Sequence, residues 1–347
     1  MTNILVTGAG AVLGQGIIRL LQVSSFDKRI FTTDPDPRST GHYLSDYALT
    51  VPVAKDPNYI ARIEEIVQTH QIDFICVGTD VELPIFAKYK ERFYSKFNCR
   101  VIVSSEDVVE IANDKFLTAE FLRNHGFPYP YSVMANNKAK LLEISEKLGF
   151  PLFAKPVDGA RSKGLTKVDN LEELMALYSP DSKLVVQQYL PDDLGEFTTG
   201  CTVINGKCKA IVTLRRDLKD GNTYRAFVDQ DTSKYDQTIK KIAEALKPDG
   251  PVNFQFRVVD DQPVVFEING RYSGTTPLRH FFGYNEVEAL LKYYLLDEEI
   301  VMPKLREGMV MRMWADLFVD KEQLKDFDKA KQFEGLRPEF FNFSLIE

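Results

Sequence analysis

The first hundred residues alternate short apolar segments with amphipathic ones, and this alternation restricts the possible folds more than any other feature. Residues 3–7, 29–33, 47–51, 73–77 and 100–104 are short and apolar, as buried strands are. Residues 14–22, 59–70 and 82–94 repeat apolar side chains at helical spacing. Strand–helix alternation of this kind predicts a parallel, doubly wound α/β sheet over residues 1–105.

Past residue 105 the pattern changes. Helices are predicted at 107–112 and 115–125, the second closed by Gly126 ahead of Pro128 and Pro130. A strand at 132–134, a helix at 138–148, strands at 152–156 and 184–189 and a helix at 171–178 follow. Antiparallel material is expected at 196–204, 207–214 and 224–228, then a hairpin whose apolar arms, 252–259 and 263–268, flank a polar turn. A helix at 286–295, a strand around 309–318 and a charged tail complete the reading. The expected divisions are 1–105, a small α+β subdomain at 106–185, and a larger one at 186–347 with a C-terminal extension.

Composition excludes several function classes. The 347 residues carry a net charge of −7 and no long Lys/Arg run, which argues against a nucleic-acid surface. Cys76, Cys99, Cys201 and Cys208 show no metal-binding spacing. No apolar run reaches the ~20 residues of a membrane span. Met1 leads directly into a predicted strand, so a reducing, cytoplasmic setting is expected.

The hairpin carries the densest chemistry. Gln255, Glu267 and Asn269 all end in oxygen, and Glu267 and Asn269 share one face of a strand. Clustered hard oxygens suit Mg2+ beside nucleotide phosphates. A surface hairpin facing water is the plainer alternative. Glu267 is embedded in apolar neighbours, however, and a carboxylate in that setting needs a partner. Arg271 follows and could hold an anion.

Other candidates are weaker singly. Lys155 sits in the apolar segment 151–156, where an ammonium calls for an anion. The loop after it, with Asp158, Gly159, Ser162, Lys163 and Gly164, is small, polar and basic, suited to covering phosphates with backbone N–H groups. It lacks the Walker A ending. Lys115 precedes a helix. Gln187, Gln188, Tyr189 and Leu190 close a strand that could meet a purine, with Glu196 placed to accept from ribose. Arg215, Arg216 and Arg225 could bind substrate carboxylates or form surface ion pairs with Asp217. Gly8, Gly10, Gly14 and Gly16 follow the first strand, but Leu13 stands where the dinucleotide fingerprint has glycine. With Asp34 they give a weak NAD(P) signal. An oxidoreductase or epimerase reading finds no Tyr-x-x-x-Lys pair to support it.

Taken in order, these segments resemble the ATP-grasp superfamily, most closely the short proteins similar to the carbamoyl phosphate synthetase large subunit. The pieces are Asn113-Asp114-Lys115, Phe153-Ala154-Lys155-Pro156, the loop 158–164, Gln187 to Leu190 followed by Glu196, and Gln255 with Glu267, Asn269 and Arg271. Val77-Gly78-Thr79-Asp80 also looks like that family's N-terminal domain. The resemblance spans roughly residues 3–295 and implies an ATP-grasp fold of two α+β subdomains behind a Rossmann-like domain.

It also implies roles. Lys115 and Lys155 would bind ATP phosphates under the 158–164 loop, residues 187–190 would meet adenine and Glu196 the ribose. Gln255, Glu267 and Asn269 would hold Mg2+, and Arg271 would steady the transferring phosphate. Many relatives have an acid where this chain has Gln255, which leaves one or two Mg2+ open. Ser273, in the segment after Arg271, would help shape the acceptor pocket. The implied activity is a Mg-ATP-dependent ligase that makes an acyl phosphate from a carboxylate for attack by an amine, both small molecules. A homodimer is compatible with it. The alternatives are a non-catalytic ATP-binding relative and transfer to a small inorganic or carbamate-like substrate.

Overall fold

The computed structural model describes residues 1–159, 164–191, 195–313, 315–336 and 338–340. From the N-terminus the elements are β1 (Thr2–Val6), α1 (Val12–Gln22), β2 (Lys28–Asp34), β3 (Tyr47–Thr50), α2 (Tyr59–His70), β4 (Phe74–Cys76), α3 (Leu83–Phe97) and β5 (Arg100–Ile102). Next come α4 (Glu106–Asn113), α5 (Lys115–Asn124), β6 (Ser132–Met134), α6 (Lys138–Leu148), β7 (Leu152–Pro156), β8 (Thr166–Val168), α7 (Leu171–Ala176) and β9 (Leu184–Gln188). The long strands β10 (Glu196–Ile204), β11 (Lys207–Lys219) and β12 (Asn222–Val228) precede α8 (Asp236–Leu246), β13 (Gly250–Val259) and β14 (Gln262–Asn269). The chain continues through α9 (Thr276–Phe281), α10 (Glu286–Leu296), β15 (Gly308–Met311), β16 (Leu317–Phe318), α11 (Lys321–Ala330), β17 (Gln332–Glu334) and β18 (Glu339–Phe340).

Two compact units result, one of residues 1–105, 271–300 and 311–347, the other of residues 106–270 and 301–310. In the first, the strand order is β17-β3-β2-β1-β4-β5. The five N-terminal strands are all parallel, as their alternation with helices predicts. β17 adds an antiparallel edge through Tyr47↔Glu334. The residues read from sequence as a charged tail thus include α11 and β17. Phe327 of α11 is fully buried with Tyr43, Ala48 and Leu336. The single strand expected around 309–318 is two short ones, β15 and β16.

The second unit holds two antiparallel sheets. The smaller runs β6-β9-β7-β8, with Leu141, Ile144 and Leu174 from its helices closing a core against it. The larger runs β14-β13-β10-β11-β12-β15. Its core includes α8, which the sequence reading left without a helix. Ile239, Ile242, Ala243 and Leu246 recur at the spacing of one helical face and are buried. Asp114 caps α5 by accepting from the Phe116 and Leu117 amides at 2.7 and 2.9 Å, which fixes where Lys115 enters the helix. The four cysteines are free and buried. Among the described residues no helix is long and apolar enough to cross a membrane.

Candidate active site

On β13 and β14, Gln255 lies directly opposite Glu267, and Asn253 opposite Asn269. A bulge interrupts the ladder between Gln255 and Phe256, whose partner is Val265, so Phe266 is the extra residue. Phe266 and Glu267, though adjacent, therefore line the same cleft. The cleft encloses about 950 Å³ including its open mouth. It is also lined by Lys115, Phe153, Lys155, Gly159, Gln187, Gln188, Leu190, Glu196, Arg216 and Arg257, all within the second unit.

A chain of polar contacts crosses its floor. Glu196 pairs with Arg216 Nε at 3.0 Å and also with its Nη2, while Arg257 Nη2 reaches the other carboxylate oxygen at 3.3 Å. Arg216 Nη2 donates to Gln255 Oε1 at 2.7 Å and Gln255 Nε2 to Glu267 Oε1 at 3.0 Å. Asn269 Nδ2 donates to that same oxygen at 3.1 Å. Arg257 Nη1 also holds the Leu190 carbonyl at 2.5 Å.

Lys155 projects from β7 toward this floor. Loss of solvation pushes its ammonium down to about 8, with Lys115 and Arg257 adding to the effect and Glu267 and Glu196 opposing it. Its Nζ lies 5.7 Å from the centre of the Phe266 ring. Lys115 Nζ donates to the Gly159 carbonyl at 2.9 Å, at the start of the expected phosphate loop. Gly159 holds φ at +98°, a conformation that favours glycine.

Known proteins resemble this chain in sequence and in fold. A family model described as "ATP-grasp in the biosynthetic pathway with Ter operon" matches residues 181–317, and one described as "PylC-like, N-terminal domain" matches residues 4–102. The carbamoyl phosphate synthase large chain of Pseudothermotoga lettingae is 23% identical over 94% of this chain and 33% of its own length. The N5-carboxyaminoimidazole synthetase of Staphylococcus aureus, solved with ADP, superposes with a TM-score of 0.66 at 14% identity, covering 95% of this chain and 85% of that one. The biotin carboxylase domain of the Hydrogenobacter thermophilus 2-oxoglutarate carboxylase, solved with MgADP, ADP and bicarbonate, gives 0.70 at 15% identity over 93% and 76%. Residues 181–317 thus match an ATP-grasp family model, and the chain is similar to carbamoyl phosphate synthase large chains over most of its length. It spans about a third of the length of the curated relatives it matches.

The mixed fold is the one the resemblance implied, a Rossmann-like parallel sheet ahead of two antiparallel α+β layers. Within the second unit the structure brings Lys115, Lys155, Gly159, Gln187, Gln188, Leu190, Glu196, Arg216, Gln255 and Glu267 to one cleft. Asn269 adjoins it through Glu267. Ser162 and Lys163 lie outside the described residues. Asp158 is exposed, and Gly164 turns at φ +74° against Pro156. Tyr189 packs edge-on against Phe153.

The Gln187 amide donates to Ser132 Oγ at 2.8 Å, and Gln188 Oε1 accepts from the Tyr131 N–H at 3.3 Å. Arg215 and Arg225 do not line the cleft. They form exposed pairs with Asp229 and Asp217 at 3.8 and 3.7 Å, the surface alternative weighed for them. Arg271 and Ser273 belong to the first unit. There Arg271 grips both oxygens of Asp80 at 2.6 and 2.9 Å, and Ser273 Oγ lies 2.7 Å from Thr275 Oγ1.

Arg257, Phe153 and Phe266 are lining residues that sequence reasoning missed. Arg257 was recoverable, since it stands two residues from Gln255 on one strand face. Phe266 was not, because its inward aim depends on the bulge. Among the described residues no three His, Cys, Asp or Glu side chains gather at a metal-sized site. A cation here would rest on the Glu267 carboxylate, amide oxygen and ligand oxygens, a donor set that fits Mg2+.

The N-terminal glycine-rich turn is filled by the protein itself. Gly10 N–H donates to Asp34 Oδ2 at 2.8 Å, so the acid read as a ribose ligand caps the turn instead. A Cβ on Gly14 would meet the Gly8 carbonyl at 2.2 Å, and one on Gly78 the Thr7 carbonyl at 2.0 Å. Close backbone packing accounts for these glycines.

Proposed function

We propose that the chain is a Mg-ATP-dependent ligase that phosphorylates a carboxylate and passes the acyl group to an amine. The observation that carries this reading is Lys155, an incompletely compensated ammonium facing Glu267 across a cleft whose other lining cations, among the described residues, are Lys115, Arg216 and Arg257. A cleft built this way binds a polyanion.

In this reading Lys155 and Lys115 hold the phosphates. β9 is flanked by β6 and β7, so its ladder engages the backbone through Gln188 and leaves Tyr189 and Leu190 as the hinge beside adenine. Glu196 Oε2 keeps one lone pair beyond those taken by the arginines and accepts from a ribose hydroxyl. Glu267 and Asn269 hold the divalent cation, which supplies charge neutralisation at the phosphates. A carboxylate does not react with an amine at neutral pH because its oxygen leaves poorly. Transfer of the γ-phosphoryl group gives ADP and an acyl phosphate, and the amine then displaces phosphate to leave an amide. Positioning and electrostatics suffice for both steps.

The test is thermal stabilisation by Mg-ATP, by ATP with chelator and by NAD(P)H, followed by ADP release with panels of carboxylates, amines and bicarbonate. Mg-ATP alone should stabilise the protein, approaching about 2.7 kcal/mol at a hundredfold excess over Kd. Nucleotide binding without ADP release in any panel would favour a non-catalytic relative. Lys155→Ala should lower turnover by roughly 100-fold or more while the fold survives, since one preorganised donor at a developing charge is worth that much. Turnover unchanged in that variant would remove Lys155 from the reaction.

A further inference from the structure

Gln255 was expected from sequence to be a metal ligand, and its surroundings assign it a different task. Its Oε1 accepts from Arg216 Nη2 at 2.7 Å and its Nε2 donates to Glu267 Oε1 at 3.0 Å. Turning the amide over would set NH2 against a guanidinium and a carbonyl oxygen against a carboxylate, converting two favourable contacts into two repulsive ones. The amide is therefore oriented by its neighbours, with its oxygen committed to Arg216.

Arg216 is held just as firmly. Glu196 engages its Nε and Nη2, and Nη1 donates to Thr223 Oγ1 at 3.2 Å. Only 10% of its side chain is exposed, so its charge is weakly screened. Among the described lining residues, Lys115, Lys155, Arg216 and Arg257 face Glu196 and Glu267, a net charge of +2. Position 255 offers no second carboxylate to hold another divalent cation, and the cationic lining already opposes one.

We propose that this site takes a single divalent cation, and that Arg216, aligned through Gln255 with Glu267, is the fixed positive centre in place of a second one. The inference rests on the nucleotide reading above and concerns only how that site is charged. Gln255 is a positioning residue, coupling the guanidinium to the metal-binding carboxylate.

The experiment is a count of bound Mn2+ by electron paramagnetic resonance on the full chain saturated with β,γ-imido ATP, with nucleotide occupancy measured separately by calorimetry. One tightly bound Mn2+ per bound nucleotide is expected, and two would overturn the proposal while leaving the nucleotide site intact. Failure of the imido nucleotide to bind with Mn2+ present would instead defeat the nucleotide reading itself. The double variant Arg216→Gln with Gln255→Glu replaces the fixed cation by a carboxylate and should raise the count to two. A folded double variant that still binds one would show that Arg216 is not what keeps the second ion out.

Discussion

Lys155 loses its proton more readily than a lysine in water, because burial and the neighbouring Lys115 and Arg257 disfavour the ammonium. A bound anion reverses that bias and raises its pKa, so nucleotide binding takes up a proton wherever the free group is neutral. Affinity for Mg-ATP should therefore hold steady below the free value of about 8 and weaken above it. The limit is about tenfold per pH unit for one group. Binding isotherms across that range would show the inflection, and Lys155→Arg should move it out of reach, since a guanidinium stays charged. The same shift acts on folding with the opposite sense. The unfolded chain binds more protons at this site between the two pKa values, so Lys155 opposes folding least at high pH. Glu267 answers to a different variable. Glu267→Gln keeps the shape of the cleft and removes the charge proposed to hold the cation, so the gain in ATP affinity from Mg2+ should fall roughly 10–100-fold, as loss of a metal-tuning group does elsewhere. Affinity that still responds to Mg2+ as in the unaltered protein would argue against that assignment.

Two devices place these side chains. The Asp114 cap sets the start of α5, and the Lys115 N–H at that point donates to the Val157 carbonyl at 2.9 Å, tying the helix to the segment after β7. Asp114→Ala should cost about 1 kcal/mol of stability by denaturant unfolding. It should also weaken nucleotide binding, which a purely distant helix end would not do. The second device is the bulge at Gln255. The hairpin, the facing of Gln255 and Glu267 and the isolated Lys155 were all legible in the sequence, because strand alternation and the cost of burying a charge are local rules. That Phe266 shares the cleft with Glu267 was not, since a bulge depends on which residues pair across the ladder. The three arginines at 215, 216 and 225 were indistinguishable by type. Alternation sends Arg215 and Arg216 to opposite faces, and only the pairing of β10 with β11 decides that Arg216 meets Glu196. The glycine-rich turn was ambiguous for a related reason. Glycines needed for close backbone packing and glycines needed for a ligand look alike in one chain.

The first unit closes its sheet with residues from the far end of the sequence, and their contribution to stability is measurable. Phe327 of α11 is fully buried, and its ring meets His42 edge-on at 5.1 Å. Phe327→Ala should destabilise the unit by about 3–5 kcal/mol. An unfolding transition unmoved by that change would mean that α11 is not part of the sheet's core in solution. The order in which the chain emerges during translation matters here. β3 ends at Thr50, whereas the strand that covers its edge begins at Gln332. At ordinary elongation rates the ribosome needs roughly 15–60 s to make the intervening stretch. Residues 106–270 are contiguous and can condense while the first sheet still has an open margin. For that interval β3 presents unpaired N–H and C=O groups to any extended segment nearby. The nascent protein is thus open to chaperones, or to mispairing with a neighbour on the same message, at an edge that β17 later covers.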